Sequence, residues 1–234
     1  MNDIAVDVQQ VNKSFANEQV LKNVSLQLEK GKIHGIIGRN GSGKTVLMKC
    51  ICGFLRPTSG AVKVFDKIIG TDCDFATDTG MLIETPGFLI HETGMNNLKW
   101  LAKLGKGANR ERISELIRMV GLDPAMKKKV GQYSLGMRQR LGIAQALLDD
   151  PALLILDEPI TGLDPAAAQD LYKTLDYLNG KEGMAVVMVT HDLQAALSHA
   201  RTVLHIGRKS VFCGSAADYL RSPEGRRFRE EGTV

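Results

Sequence analysis

One stretch of the chain constrains its fold more than any other: Gly38, Arg39, Asn40, Gly41, Ser42, Gly43, Lys44 and Thr45. These residues fill every fixed position of the pattern G-x-x-x-x-G-K-[ST]. An apolar run precedes them at 33–37, and a helical pattern of apolar residues follows at 45–51. A strand, a glycine-rich loop and a helix in this order predict an α/β fold with a phosphate-binding loop.

The residue types of this loop suit a polyphosphate. Glycines at 38, 41 and 43 let the backbone curl with its N–H groups pointing inward, and the following helix adds the positive end of its dipole. We expect Lys44 to reach the β- and γ-phosphates and Thr45 to supply one Mg²⁺ ligand. Asn40 and Ser42 complete the expected contacts. A glycine-rich turn with an accidental lysine is disfavoured because the whole pattern lies between a strand and a helix.

Two further apolar runs end in polar residues of catalytic type. Run 153–156 is of the buried-strand kind and ends in Asp157 and Glu158. In a phosphate-loop fold, Asp157 is expected to orient the Mg²⁺ shell and Glu158 to polarise a water beside the γ-phosphate. Run 185–189 leads to His191, for which a γ-phosphate contact is favoured if the two strands are parallel. Acidic residues that merely cap a surface strand are the weaker interpretation, because the apolar run buries the strand.

Residues 92–148 have helical periodicity, which predicts a compact helical insert. The third of its helices is expected at 138–148, with Ser134 suited to the N-cap. Its amino end is a second potential phosphate-binding end in the chain, and one nucleotide site does not need two such ends from one subunit. Trp100 and Met119 fall on apolar stripes and are expected in the core.

The N-terminal region alternates apolar with polar residues at 4–8 and 20–28, which predicts antiparallel strands. Phe15 is expected in the turn between them. An aromatic ring there could stack on an adenine or plug a small β core, and residue type does not decide between the two. A further apolar run, 80–83, delivers Glu84 to a strand end, where side chains meet ligands in α/β sheets.

The length and composition of the chain limit its number of domains and the classes of function open to it. The chain of 234 residues is long enough for one domain, or for a domain with a subdomain. Its formal charge of +4 is too small to argue for nucleic acid, and the charged residues of 226–234 are expected to form a solvated tail. No apolar stretch approaches the ~20 residues that span a bilayer. Because the start also lacks a signal-peptide pattern, we expect a cytoplasmic protein.

Together these residues resemble the ATP-binding cassette, the ATPase subunit of ABC transporters, from about Ile4 to about Leu220. The Walker A loop is 38–45, the Walker B strand with its catalytic glutamate is 153–158, and the switch histidine is His191. Ser134 and Gly136 match the signature motif, and Phe15 occupies the position of the adenine-stacking aromatic. The resemblance implies an ABC ATPase domain over 1–225, with a mixed central sheet, an N-terminal antiparallel β subdomain and an α-helical subdomain inserted at about 87–148.

Two positions depart from the family pattern. The signature is usually Leu-Ser-Gly-Gly-Gln, whereas here Leu135 replaces the first glycine and Met137 replaces the glutamine. Glu84 takes the place of the glutamine of the Q-loop. Both features resemble the bacitracin and lantibiotic resistance branch of bacterial exporters. A carboxylate binds Mg²⁺ more strongly than an amide oxygen but adds negative charge beside the γ-phosphate, so we hypothesise that Glu84 is a metal-linked coupling residue.

The resemblance also implies partners. Two such subunits, identical or paired, bind two ATP with Mg²⁺, each ATP lying between one Walker A loop and the partner's signature helix. Hydrolysis then opens the pair and drives a separate integral membrane permease from the inner face of the cell membrane. The branch implies export of an antimicrobial peptide, a drug or a similar compound.

Two other functions compete with this one. The first is a soluble ABC-superfamily nucleotide-gated regulatory module without transport, suggested by the altered signature and Glu84. The second is a nucleic-acid-handling ATPase of the same superfamily. It is disfavoured because it needs a coiled-coil insertion or two cassettes in one chain, and this sequence has neither an internal repeat nor such an insertion.

Overall fold

The computed structural model describes residues 3–16, 18–84, 86–191, 193–207 and 211–231. The chain divides into two compact units. The first unit combines residues 1–77 with residues 185–234, and the second unit consists of residues 78–184. The helical insert expected at about 87–148 falls within the second unit.

The strands and helices of the described residues are named here in chain order. The strands are β1 (Ile4–Phe15), β2 (Glu18–Glu29), β3 (Ile33–Ile37), β4 (Ser59–Val64), β5 (Lys67–Ile68), β6 (Thr79–Leu82), β7 (Leu153–Asp157), β8 (Ala185–Val189), β9 (Thr202–Ile206) and β10 (Val211–Gly214). The helices are α1 (Lys44–Cys52), α2 (Gly94–Ala102), α3 (Arg110–Met119), α4 (Leu135–Ala146), α5 (Pro165–Glu182), α6 (Leu193–His199), α7 (Ala216–Arg221) and α8 (Pro223–Glu231).

The first unit begins with an antiparallel sheet in the order β2-β1-β4-β5. Its first two strands confirm the predicted alternation, because β1 buries Val6, Val8 and Val11 and exposes Gln9. Both strands extend beyond the segments read from the alternation. Register shifts along the β1–β2 ladder let the pairing continue to the Phe15–Glu18 pair despite the irregular pattern.

Phe15 is the last residue of β1, and the expectation that it lies in a turn was wrong. Its side chain is 43% exposed, and Nζ of Lys13 lies 5.0 Å from the centroid of its ring. A plug of the β core would be buried, so the structure excludes that alternative. An exposed ring is compatible with stacking on an adenine.

The second sheet of the first unit is built on β3. This strand pairs in parallel with β8 and with β9, and β10 pairs antiparallel with β9. Every residue of β3 and β8 is buried, as expected for continuous apolar runs in a sheet covered on both faces. Parallel and antiparallel pairs within one sheet confirm the predicted α/β class with a mixed sheet.

The second unit combines the parallel pair β6–β7 with α2, α3, α4 and α5. Side-chain oxygens of Thr93, Asn109 and Ser134 cap the first three of these helices, each by accepting a hydrogen bond from the backbone N–H three residues further on. The predicted N-cap at Ser134 is confirmed. The helix it caps begins at Leu135, earlier than the apolar periodicity indicated.

Trp100 does not lie in the core, and that expectation was wrong. The residue is 55% exposed, and Nζ of Lys103 lies 4.4 Å from its ring centroid. Helix α2 instead buries Leu98 and Ala102, which are four residues apart and share one face. Trp100 lies midway between them in sequence and therefore points away from that face. Met119, on α3, is half-buried.

The first unit ends in α7 and α8. Helix α8 begins at Pro223, so the expected boundary at 225 between the domain and a charged tail falls inside a helix. Its Phe228 packs on His205, with ring centroids 5.0 Å apart. None of the helices among the described residues is both long and apolar enough to cross a membrane.

Candidate functional site

The phosphate-binding loop joins the end of β3 to the start of α1, which confirms the predicted order of strand, loop and helix. Gly38 opens the loop with φ +152°, and Gly43 is the N-cap of α1 with φ 98°. A Cβ at Gly38 would lie 2.4 Å from the carbonyl oxygen of Ile206. Only glycine lets β3 turn into the loop while β9 passes this close.

Lys44 holds this loop in a curled shape. Its ammonium donates hydrogen bonds to the carbonyl oxygens of Gly38 at 2.7 Å and Arg39 at 3.1 Å. The backbone N–H of Ser42 donates to the carbonyl of Arg39 at 3.1 Å and closes a tight turn. Lys44 is buried, so its charge is directed at the loop and not spread into solvent.

The hydroxyl of Ser42 is suited to a ligand. Its Oγ is buried and has no hydrogen-bond partner in the described part of the chain. A buried polar atom without a partner costs free energy unless a ligand satisfies it. Asn40 and Gly41 are exposed at the mouth of the loop and Thr45 is half-buried at the start of α1. The loop therefore fits a bound polyphosphate, with Thr45 placed at the helix start expected for a metal-bound hydroxyl.

His191 leaves the same edge of the sheet as this loop. Strands β3 and β8 are parallel, with Ile36 opposite Val189, so the residues that follow each strand emerge together. The backbone N–H of Thr190 donates to the carbonyl of Ile36 at 3.0 Å, and His191 is exposed immediately after it. The γ-phosphate interpretation of His191 was conditional on β7 and β8 being parallel, and it stays a prediction. The parallel pair β3–β8 places His191 at the edge that carries the phosphate-binding loop. Asp192, next in sequence, lies outside the described residues.

The acidic residues lie together at one edge of the second unit. Asp157 is the buried last residue of β7, and Glu158 follows it half-buried. Strands β6 and β7 are parallel with Leu82 opposite Leu156, so Glu84 emerges at the same edge, exposed to solvent. Thr85, beside it, lies outside the described residues.

Two of these acidic residues adopt an uncommon backbone conformation. Glu158 has φ 49° and Glu84 has φ 62°. The left-handed region costs a residue with a side chain about 1–3 kcal/mol and is concentrated at functional sites. At Glu158 a turn holds the conformation, because the N–H of Thr161 donates to its carbonyl at 3.1 Å. The two backbones thus fix the directions in which the carboxylates leave their strands.

The start of α4 is shaped by close packing on the loop before α5. Ser134 is exposed, and its Oγ accepts from the N–H of Met137 at 3.2 Å. A Cβ at Gly136 would lie 2.8 Å from Cδ2 of Leu163 and 3.2 Å from the carbonyl of Gly162. Packing within the second unit therefore favours glycine at the signature position, because a side chain there would displace Leu163.

The expected metal ligands do not form a preformed cage. Among the described residues, no three His, Cys, Asp or Glu side chains cluster as a metal site. This donor set is compatible with Mg²⁺, which usually takes one or two protein ligands and completes its shell with water and phosphate oxygens. Thr45 in the first unit carries a hydroxyl and Asp157 in the second unit carries a carboxylate, which are groups that Mg²⁺ can bind.

Sequence reasoning missed one pair of residues near the loop. His205 is buried on β9 opposite Ile37, and its Nδ1 lies 3.0 Å from the hydroxyl of Tyr219. Burial lowers the pKa of the His205 imidazole, Glu224 raises it and the positive charge of Lys44 lowers it. The available signal was a histidine inside the apolar run 202–206, which alone does not indicate a role.

Comparison with known proteins agrees with this geometry. A sequence model of the ABC transporter family matches residues 21–161. The bacitracin transport ATP-binding protein BcrA of Enterococcus faecalis is 38% identical over 196 residues, covering 82% of this chain and 62% of that protein. The lantibiotic transport ATP-binding protein SrtF of Streptococcus pyogenes is 37% identical over 186 residues, covering 80% of each.

A solved structure shares the fold. The ATP-binding cassette MJ0796, in a dimeric post-hydrolysis state bound to ADP and Pi, matches with a TM-score of 0.80 at 26% identity, over 90% of this chain and 98% of that one. The chain spans 61 to 63% of the length of several curated relatives. The family model covers more than half of the chain, and SrtF is 37% identical over 80% of each protein. The resemblance stated from the motifs is therefore confirmed: the chain belongs to the ABC transporter family of ATP-binding proteins.

Proposed function

We propose that the chain is the ATP-binding and hydrolysing subunit of an ABC transporter that works with a separate membrane permease. The export of an antimicrobial peptide, a drug or a similar compound is supported by relatives named for bacitracin and lantibiotic transport. Such a subunit acts at the inner face of the cell membrane, attached through its permease.

The observation that carries the proposal is the geometry of the loop at 38–45. The loop combines a glycine that packs against β9, a buried ammonium and a buried hydroxyl without a partner among the described residues. These features suit the β- and γ-phosphates of ATP, with the α1 dipole adding to the charge of Lys44. Phe15 supplies an exposed ring for the adenine.

The acidic edge of the second unit supplies the proposed chemistry. Asp157 and Thr45 would hold Mg²⁺, and the ion would supply positive charge beside the phosphates. Glu158 accepts a proton from the attacking water. The water oxygen bonds to the γ-phosphorus while the bond from the γ-phosphorus to the β–γ bridging oxygen breaks. His191 contacts the γ-phosphate from the edge of the sheet that carries the loop.

The start of α4 supplies the proposed second half of each site. Ser134, which is exposed, and Gly136, which is buried, lie at the amino end of a twelve-residue helix, and such an end favours a negative charge. We propose that it binds the γ-phosphate of the ATP held by a second copy of this chain or by a paired subunit. The dimeric state of MJ0796 with ADP and Pi supports this arrangement for a relative of the same fold.

The first experiment compares Glu158→Gln with wild type. We expect phosphate release to fall at least about 100-fold, the scale of lost general-base catalysis, while ATP binding persists. Light scattering with ATP and Mg²⁺ should find the variant dimeric and the wild type dimeric only transiently. Glu111→Gln, an exposed acidic residue of α3, serves as the matched control and should behave as wild type.

A second variant tests the sharing of ATP between subunits. Ser134→Arg places a bulky cation at the start of α4 and should abolish the ATP-dependent dimer and turnover together. Equal phosphate release by wild type and Glu158→Gln would instead support the regulatory module without turnover. Normal turnover in Ser134→Arg would contradict a site completed by a partner.

A further inference from the structure

A buried histidine lies on the strand next to the phosphate-binding loop. His205 pairs with Ile37, the residue at which β3 ends and the loop begins. Its neighbour Ile206 provides the carbonyl oxygen against which Gly38 packs, at 2.4 Å from where a Cβ would lie. A shift of β9 at this point would therefore displace the first residue of the loop.

Tyr219 of α7 fixes the ring of His205. The Tyr219 side chain is fully buried, its hydroxyl lies 3.0 Å from Nδ1 of His205, and the two rings meet edge to face with centroids 5.6 Å apart. Tyr219 also packs in one apolar cluster with Ile37. The contact orients the ring, and a neutral imidazole with its proton on Nε2 can accept the hydrogen bond of the hydroxyl at Nδ1.

The charge of His205 matters because of Lys44. The facing charged and titratable groups are Lys44 on α1, Glu224 on α8 and Tyr219 on α7. Protonation of His205 would add a positive charge in the field of the Lys44 ammonium, which is held by the carbonyls of the loop. A neutral imidazole avoids that repulsion.

We propose that His205 and Tyr219 are positioning residues for the phosphate-binding loop: Tyr219 holds the neutral imidazole of His205, and the pair keeps Gly38 and Lys44 in the arrangement that receives the phosphates of ATP. The proposal rests on the proposed role of this loop in nucleotide binding. Because Phe228 of α8 packs on the same imidazole, α7 and α8 are coupled to the loop through one side chain.

The main test is Tyr219→Phe, which removes the hydroxyl and keeps the ring. We expect the KM for ATP to rise about fivefold, as for the loss of one buried hydrogen bond, with kcat changed less than about twofold. Tyr172→Phe is the matched control, because Tyr172 is a buried tyrosine of α5 in the second unit. It should leave the KM unchanged.

The second test is the pH profile of His205→Gln. Glutamine retains an acceptor for the Tyr219 hydroxyl but does not titrate, so its KM at neutral pH should lie near that of wild type. Because burial lowers the pKa of His205, the wild-type KM should rise more steeply than that of the variant only at a pH below 6.5, the ordinary value for histidine. The other titrating groups are common to both proteins, so the difference between the profiles reports on His205.

The outcomes separate this proposal from the role of the loop itself. A wild-type KM in Tyr219→Phe, or pH profiles that coincide for wild type and His205→Gln, would overturn the positioning role. If Tyr219→Phe does not fold, Phe228→Leu removes the α8 contact and keeps the hydrogen bond, and an unchanged KM in that variant counts against the proposal. Lys44→Ala should abolish ATP binding; normal binding there would overturn the assignment of the loop instead.

Discussion

At the scale of single residues, the shape of the phosphate-binding loop depends on the space around Gly38 as much as on the charge of Lys44. Any side chain at position 38 would collide with the backbone of β9 as well as adopt an unfavourable φ. Neither strand can retreat, since Ile37 and Ile206 are both buried. Packing within the first unit therefore requires glycine at position 38 independently of any ligand.

We predict that Gly38→Ala destabilises the protein by about 1–3 kcal/mol more than Gly41→Ala, the usual cost of overpacking. Gly41 is the matched control because its φ is also positive, at 76°, while nothing lies within 4 Å of a Cβ there. Urea denaturation of both variants measures the difference. Equal losses would mean that the close approach of Ile206 is relieved at little cost.

His34 gives a prediction for acid stability. Burial lowers its pKa, while the hydrogen bond and the charge of Glu29 raise it less. Nε2 donates to the carbonyl of Glu29 at 2.9 Å, and Nδ1 is buried with no partner in the described part of the chain. Protonation would place a proton on Nδ1, where nothing accepts it.

Because the folded pKa lies below the unfolded value near 6.5, the unfolded chain binds the proton first as the pH falls. The stability from neutral His34 is therefore complete above about pH 6.5 and is lost below it, by up to about 1.4 kcal/mol per pH unit. Urea denaturation of wild type and His34→Gln from pH 7.5 to 5 should show the shallower dependence in the variant. Parallel curves would exclude His34 as the source.

At the scale of elements, the sequence predicts a strand where a continuous apolar run alone determines it, and a helix start where an N-cap residue alone determines it. Continuous apolar runs locate β3, β7 and β8 almost to the residue, and the N-cap of α4 is evident at Ser134. The backbone conformations of Glu84 and Glu158 are not predictable, because φ depends on how the turn after each strand packs. The role of His205 requires knowledge that β9 lies beside β3, which no local pattern contains.

Helix α2 illustrates why periodicity misplaces a residue. An apolar residue on a short helix can fit more than one stripe, and the sequence does not indicate which stripe faces α3 and α4. Leu98 is fully buried, whereas Trp100 has more than half of its surface exposed and packs with Lys103. The larger side chain is therefore the less important one for folding.

We predict that Leu98→Ala destabilises the protein by about 2–5 kcal/mol, through lost burial and a cavity, while Trp100→Ala costs less than about 1 kcal/mol. The two residues share one helix, and their difference in helix propensity is below about 0.7 kcal/mol, so burial is the main difference between them. Thermal or urea denaturation provides the comparison. A larger loss at Trp100 would contradict its exposed position.

At the scale of the whole molecule, the proposed site residues come from both units and from a second subunit, which is either another copy of this chain or a paired ATPase. In this proposal, hydrolysis depends on assembly of the two subunits, and the permease is a further partner. We propose that Glu84 links metal binding to coupling with the permease, because it is exposed at the acidic edge of the second unit.

We predict that Glu84→Gln raises the Mg²⁺ concentration for half-maximal ATP hydrolysis about tenfold, the scale of a lost supporting ligand, and lowers transport in the complex with the permease. Glu92→Gln, a half-buried glutamate before α2, is the matched control. A magnesium titration of phosphate release makes the measurement. Unchanged Mg²⁺ dependence and unchanged transport in Glu84→Gln would remove the coupling hypothesis.

The left-handed backbone at Glu158 lowers the stability of the fold at a position where the proposed reaction needs a carboxylate. Glycine at this position would relax the turn and simultaneously delete the group proposed to accept the proton from water. Laboratory evolution for heat resistance alone would therefore favour variants that bind ATP without hydrolysing it. Only a screen that also demands turnover would keep the glutamate.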